Sequence, residues 1–462
     1  MSRSRTEDVA EELFRPQVPQ ERWHPNFARV VDHDFPDRHA VVEGWAKGFR
    51  DRDGKFVKEF QTTFNSSFWE LYLFAVFRDL GCRLDQDHIR PDFTIDGGPL
   101  GEFVAEAVVA SNPAGGLPEW CWDPTAGKPD VELILDLASL RLSQAVMSKL
   151  RKWRDEYSTL PHTQDRPFIV CVCPFDQPRA SLQGSEAIDR VLFGSPGPLV
   201  DVHEDELVVV GHTGFKEVFK PSGSAVELGL FTDDRAAEIS AVIFSSLATW
   251  SKVSALSPGR GETDVFHAIG MSIDGSLINC VGRGKEHKET LVNGATLFLN
   301  PHAIRPLDPE PFFLTGFAVH SYSPGGTVVE CRTDRLIQRT AYRLVERGMA
   351  PPKPTPPPGA KPHRRSFPPD GVPYGAPSSV GTVVTSIMEQ YCGWTLIVGM
   401  DAVDSDWCAI AKRGRYLTHD EFRNTGCDES NEYMSSWFAT RSNAVTAAQK
   451  YIDTQAPAGV VP

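Results

Sequence analysis

The sequence predicts an α/β protein: a mixed sheet flanked by helices, followed by a small C-terminal domain of sheet and helix. Three observations carry this. Apolar runs of helical type and of strand type alternate between Phe64 and Cys173. A proline-rich stretch from Pro351 to Ser379 then breaks the chain. Beyond it lie short β-type runs and one helical run. At 462 residues the chain is too long for one ordinary domain and ample for a large core.

The N-terminus is polar, with an AEELF turn that suggests a short helix. It lacks an apolar core segment, so a secretory signal is not expected. The residues up to Val57 are rich in charge and include His24, His33 and His39. Asp32 to His39 is metal-like in composition, but its Pro and Asp content reads as a loop. Phe64 onward reads as a helix carrying Glu70. A strand opens at Pro91-Asp92-Phe93, Asp96-Gly97-Gly98-Pro99 makes a turn, and a second apolar strand, FVAEAVV, carries Glu106.

A turn centred near Gly98 or Pro99 places Asp92 opposite Glu106. Directly opposed side chains in an antiparallel ladder have Cβ atoms about 4.5–5.5 Å apart. Two carboxylates that close repel, and burial raises the cost. A bound cation is the simplest relief, so Asp92, Glu106 and Glu70 form a candidate magnesium or manganese site. Magnesium usually takes only one or two protein carboxylates. The bland alternative is a buried Glu106 satisfied by an arginine such as Arg90.

Arg141 to Trp153 reads as a helix with Lys149 beside the small residues Ala145 and Ser148. Arg166 to Cys173 reads as a buried strand. Leu207–Val210 and Ile239–Phe244 are further strands, and Ile337 to Gly348 has the spacing of an amphipathic helix ending on glycine. The proline-rich stretch should be an extended spacer. After it, two strands flank Cys392-Gly393, Asp406–Thr418 and Met434–Ser442 supply two more, and Ser442–Thr454 a helix. Trp394, Trp407, Tyr416 and Trp437 supply a core or a binding face there. The expected organisation is an N-terminal extension (1–57), a main domain (58–348), a linker (349–379) and a small accessory domain (380–462).

Composition narrows the function. Hydrophobic residues make up 41% and charged residues 23%, as in globular proteins. No apolar run is long enough to span a bilayer. Nine cysteines without zinc-type pairs imply reduced thiols and a cytoplasmic setting. A net charge of −14 opposes broad nucleic-acid binding, though a local basic groove can act within an acidic protein. The glycine-rich stretches at Gly259–Gly261 and Gly282–Gly284 lack phosphate-loop spacing. There is no G-x-S-x-G elbow and no HExxH motif.

Pro91-Asp92 as a first acid, Glu106 as a second and Glu70 as a helix acid resemble the PD-(D/E)XK superfamily, the restriction-endonuclease-like nucleases. Asn300-Pro301-His302-Ala303 and Pro306-Leu307 are similar to uncharacterised bacterial proteins of this type, so the resemblance spans Phe64 to Leu307. It implies a helix–strand–strand–helix–strand core and metal-dependent hydrolysis of phosphodiesters. The pattern departs at Val108, where the family's lysine is usual. Some members carry that lysine on the next helix, which implies Lys149, with Lys152 and Arg141 behind it.

The expected function is a magnesium- or manganese-dependent nuclease, in defence or repair, acting on DNA ahead of RNA. Asp92, Glu106 and Glu70 would hold metal, Lys149 would stabilise charge, and the C-terminal domain would recruit a protein partner. The competing expectation is a nuclease-like fold that binds or scaffolds without cleaving. Metal-assisted hydrolysis of another phosphate ester is a third. Lys149 reaching the acids favours catalysis; Lys149 in solvent favours the scaffold.

Overall fold

The computed structural model describes residues 9–32, 36–121, 130–194, 198–203, 206–212, 214–273, 277–323, 326–344, 355–361, 387–391, 394–400, 407–413 and 433–434. The chain divides into two compact units: Met1–Gly197 with Gly214–Val372, and Pro198–Thr213 with Pro373–Pro462.

Five helices open the first unit: α1 (Val9–Glu12), α2 (Pro25–Asp32), α3 (Pro36–Ala46), α4 (Phe56–Thr62) and α5 (Phe64–Asp79). Helix α5 is apolar nearly all round. Phe68, Trp69 and every residue from Leu71 to Phe77 are buried, the pattern of a helix inside a core. Leu13, Phe27, Trp45, Phe49 and Phe60 from the earlier segments share that core. Trp69 Nε1 donates to the Cys171 carbonyl at 3.0 Å and pins α5 to the sheet.

The sheet has eight strands whose spatial order is their chain order. They are β1 (Leu84–Asp85), β2 (Phe93–Asp96), β3 (Glu102–Ser111), β4 (Phe168–Phe175), β5 (Ala241–Phe244), β6 (Thr296–Leu299), β7 (Ala318–Ser323) and β8 (Gly326–Glu330). Pairing is mixed: β3–β4, β4–β5 and β6–β7 are parallel, and the rest antiparallel. A parallel step needs a crossover. Helix α6 (Val131–Asp155) makes the one between β3 and β4, and starts on an Asp130 cap that accepts from Leu133 N–H at 3.0 Å. Phe103 and Ala105 of β3 pack in the core with α5, while the alternating Glu106 meets α6. Helices α7 (Glu186–Phe193), α8 (Trp250–Leu256) and α9 (Glu310–Leu314) complete the cover.

A second sheet of three strands has Asp264–Met271 between Leu277–Arg283 and Arg335–Arg343. This corrects the sequence-based expectation of a helix from Ile337. The segment carries the β-favouring Ile337, Thr340 and Tyr342. Its Arg339 is drawn inward to Glu289 and donates to the Leu247 carbonyl at 2.6 Å. Pairing with Asp264–Met271 overrides the local helical spacing.

The second unit holds a four-stranded antiparallel sheet of Ile387–Tyr391, Trp394–Met400, Trp407–Arg413 and Tyr433–Met434. Tyr391 lies opposite Trp394 in the first pairing, and Cys392-Gly393, where a turn is expected, lies outside the described residues. The last strand reaches the first residue of the expected Met434–Ser442, and residues 435–442 lie outside the described residues. The expected helix over 442–454 and the aromatic side chains of this unit lie outside the described residues. The hairpin Pro198–His203 with Glu206–His212 groups with this unit. Part of the proline-rich stretch is tied to the first unit, since Lys361 N–H donates to the Gly115 carbonyl at 2.9 Å. Among the described residues no helix is long and apolar enough to cross a membrane.

Candidate metal centre

The β2–β3 register builds the centre. Phe93 faces Ala105 and Asp96 faces Glu102, so one step back sets Asp92 against Glu106. The turn depends on Gly98, whose φ is +105° and where a Cβ would sit 2.6 Å from the Gly81 carbonyl oxygen. Strand β2 begins at Phe93, so beyond it β3 has no ladder partner on that side. The Asp92 side chain fills the gap: its Oδ2 accepts from Ala107 N–H at 2.8 Å. In return Asp92 N–H donates to Glu106 Oε2 at 3.1 Å.

Glu106 is 1% exposed. Its Oε1 accepts from Lys149 Nζ at 2.8 Å, Lys152 Nζ at 3.1 Å and Tyr157 Oη at 3.0 Å. The two lysines are one turn apart on α6 and so share a face. Lys152 also rests 5.1 Å over the Tyr157 ring. Lys149 thus points at the acids and not at solvent. Arg90 turns away to Glu156 at 2.7 Å, which removes the bland pairing for Glu106. Arg141 donates to the Ser111 carbonyl at 2.5 Å and to Gln144.

Glu70, on α5, lies 3.6 Å from Arg52. Burial, and next the Asp92 charge, raise its pKa well above the usual carboxylate range. Burial and Glu106 push Asp92 up to about 6. Burial opposes the Glu106 charge too, but Lys149 and Lys152 outweigh it and hold its pKa low. Glu106 is therefore the standing anion, and Asp92 and Glu70 take up protons first. Burial, then Glu106, raises the Tyr157 pKa, which keeps its hydroxyl a donor. The same burial and acids raise the Cys171 thiol, which borders the centre from β4.

Tyr157 and Arg52 are the members that sequence reasoning missed, and Lys152, expected only behind Lys149, reaches Glu106 as well. Tyr157 lies in a short turn after α6, where no periodicity marks it. The histidine-rich string around Asp32 is not a site as far as it is described. His39 bonds the Val30 carbonyl at 2.8 Å and stacks on Phe14 at 4.0 Å; residues 33–35 lie outside the described set.

Among the described residues no group of three or more His, Cys, Asp or Glu side chains is gathered as a metal-binding set. No protein family, no curated protein and no solved structure matches this chain.

Proposed function

We propose that this chain is a divalent-metal-dependent phosphodiester hydrolase with a restriction-endonuclease-like core, acting on nucleic acid, DNA ahead of RNA, in the cytoplasm. The observation that carries the reading is Lys149 Nζ at 2.8 Å from Glu106, with Asp92 opposite in register. It supplies the ammonium that Val108 withholds.

The donors fit magnesium or manganese. Asp92, Glu106 and Glu70 offer hard carboxylate oxygens. Burial first, and then repulsion among the acids, lifts Asp92 and Glu70, and a cation would offset that repulsion. Asp92 with Glu106 or with Glu70 would hold the ion, in keeping with the one or two carboxylates magnesium usually takes. Bound there, the ion supplies Lewis-acid polarisation of the phosphodiester and neutralises charge. The chain's own groups do the rest. Tyr157 Oη and the Asp92 N–H fix the Glu106 carboxylate. Lys149 and Lys152 set two positive charges beside it, where negative charge develops on phosphoryl oxygens. Where Asp92 and Glu106 hold the ion, Glu70, raised by burial, can hold and release a proton.

One observation favours a second reading, a nuclease-like fold that binds without cleaving. Glu106 Oε1 already takes three donors, two of them ammonium groups. A carboxylate so satisfied can be a purely structural pair. The deciding experiment incubates purified protein with single- and double-stranded DNA and RNA, with Mg²⁺, Mn²⁺ or EDTA. Cleavage that needs the ion and is abolished by Asp92→Asn and Glu106→Gln is the expected result. Cleavage equal in both variants, or surviving EDTA, overturns the assignment. Ion-independent binding with no cleavage selects the second reading.

A further inference from the structure

A cavity of about 460 Å³ opens in the first unit, lined by none of the residues around Glu106. Its walls bring together the second sheet, the edge strand β8 and α9. Met271, Ile273, Phe313 and Val329 supply apolar surface, with Cys331 and Arg335 beside them. The volume falls in the range of small-ligand sites, roughly 300–1,000 Å³. Ile273 is 67% exposed and Met271 41%, so an apolar rim faces water at the mouth.

The two arginines at this cavity differ. Arg332 pairs with Glu310 at 2.9 Å and lies 5.6 Å over the Phe313 ring. Its charge has a partner. Arg335 is half-buried and donates one long bond, 3.4 Å, to Ser185 Oγ. Among the described residues it makes no ion pair. Asp189, an acid close enough to act on it, is held by His320 at 3.1 Å. A guanidinium largely withdrawn from water with no carboxylate in hydrogen-bond reach is costly, and an oxyanion in its fork would offset that cost. In a chain of net charge −14 the cavity wall itself carries two guanidiniums and no carboxylate, with Asp334 at the rim accepting from Ile273 N–H at 3.2 Å.

We propose that this cavity binds a small organic anion, with an oxyanion head on Arg335 and an apolar body against Met271, Ile273 and Phe313. The head is a carboxylate or a phosphate monoester. The site is separate from the metal centre and does not depend on the nuclease reading.

Cys331, in the wall, is the reporter. Its alkylation by iodoacetamide is followed by peptide mass mapping of the full-length protein. The probes are hexanoate and phenyl phosphate, with inorganic phosphate as head alone and hexan-1-ol as body alone. One of the two anions should slow alkylation about tenfold at about ten times its Kd, the arithmetic of simple occupancy. Which anion does so identifies the head. Neither control should match it. Arg335→Gln should abolish protection. Should that variant fold poorly, Ile273→Glu places a like charge at an exposed position of low folding cost and should also abolish it, while Ile273→Gln should not. Equal protection by hexan-1-ol, no protection by either anion, or full protection in Ile273→Glu overturns the proposal.

Discussion

At the residue scale the centre is a problem of charge, and each acid meets it differently. Glu106 is neutralised by two ammonium groups; Asp92 is not, and its pKa is pushed up to about 6 by burial and by Glu106. A carboxylate raised above its unfolded value binds more protons in the folded chain, so stability falls as pH climbs from about 4 through 6. Asp92→Asn keeps the shape and an acceptor for Ala107 N–H while deleting the charge. It should therefore raise unfolding free energy at pH 8, by up to about 3 kcal/mol, and change it little at pH 4. Chemical denaturation at the two pH values checks this; an equal effect at both refutes it. Lys149→Ala should lower turnover by about 10²–10³-fold if its ammonium faces the phosphate. Single-turnover kinetics of Lys149→Ala against Lys152→Ala measures this; a silent Lys149 beside a crippling Lys152 reverses the roles of the two. The acid pair was legible because turn residues fix a register and a register fixes which side chains face. Tyr157 was not, because a hydroxyl arriving from a loop obeys no period.

Elements succeed or fail as predictions according to where their stability comes from. Helix α5 and strands β2 to β4 were readable because apolar pattern and final burial agree. The Arg335–Arg343 strand was misread because its anchor is remote in sequence. Arg339, Lys252 and His287 converge on Glu289, all buried. Burial opposes the Glu289 charge, yet Lys252 and Arg339 bring its pKa to about 2. Burial also lowers Lys252, to about 8. No local window contains this network, which joins α8 to the second sheet. Glu289→Gln would leave two buried cations without their anion. It should cost about 3–5 kcal/mol, the scale for removing one partner of a buried pair. A denaturation midpoint within experimental error of the parent would show that the network is not what holds the strand. The position left by Val108 offers a complementary test at element level. It alternates with Glu106 on β3 and so shares its face. Val108→Lys placed in Lys149→Ala should restore part of the lost turnover, since the ammonium would enter from the strand and not from α6.

For the whole molecule the division into two units changes where it can be cut. The proline-rich stretch reads as a free spacer in sequence, and a cut near Gly348 then looks natural. Lys361, however, hydrogen-bonds the loop at Gly115, and the first unit runs on to Val372. The second unit also draws on Pro198–Thr213, a hairpin inserted between α7 and β5. A chain ending at Val372 retains every described residue of the metal centre and of the Arg335 cavity. It should unfold in one cooperative transition and keep the full-length chain's ion-dependent cleavage rate, because no described catalytic group comes from Pro373 onward. A chain ending at Gly348 loses the Lys361 contact as well and should melt lower. We propose that what the shorter chains would forfeit is recruitment of a protein partner, because the sequence beyond Pro373 places Asp404, Asp406, Asp420 and Glu421 there, acids that suit a protein surface better than a phosphate backbone. Comparing the two truncations with the full chain by calorimetry and by cleavage separates these roles. Loss of cleavage in the Val372 chain with its melting transition intact would mean that the C-terminal unit completes the substrate site and is no separable recruiter.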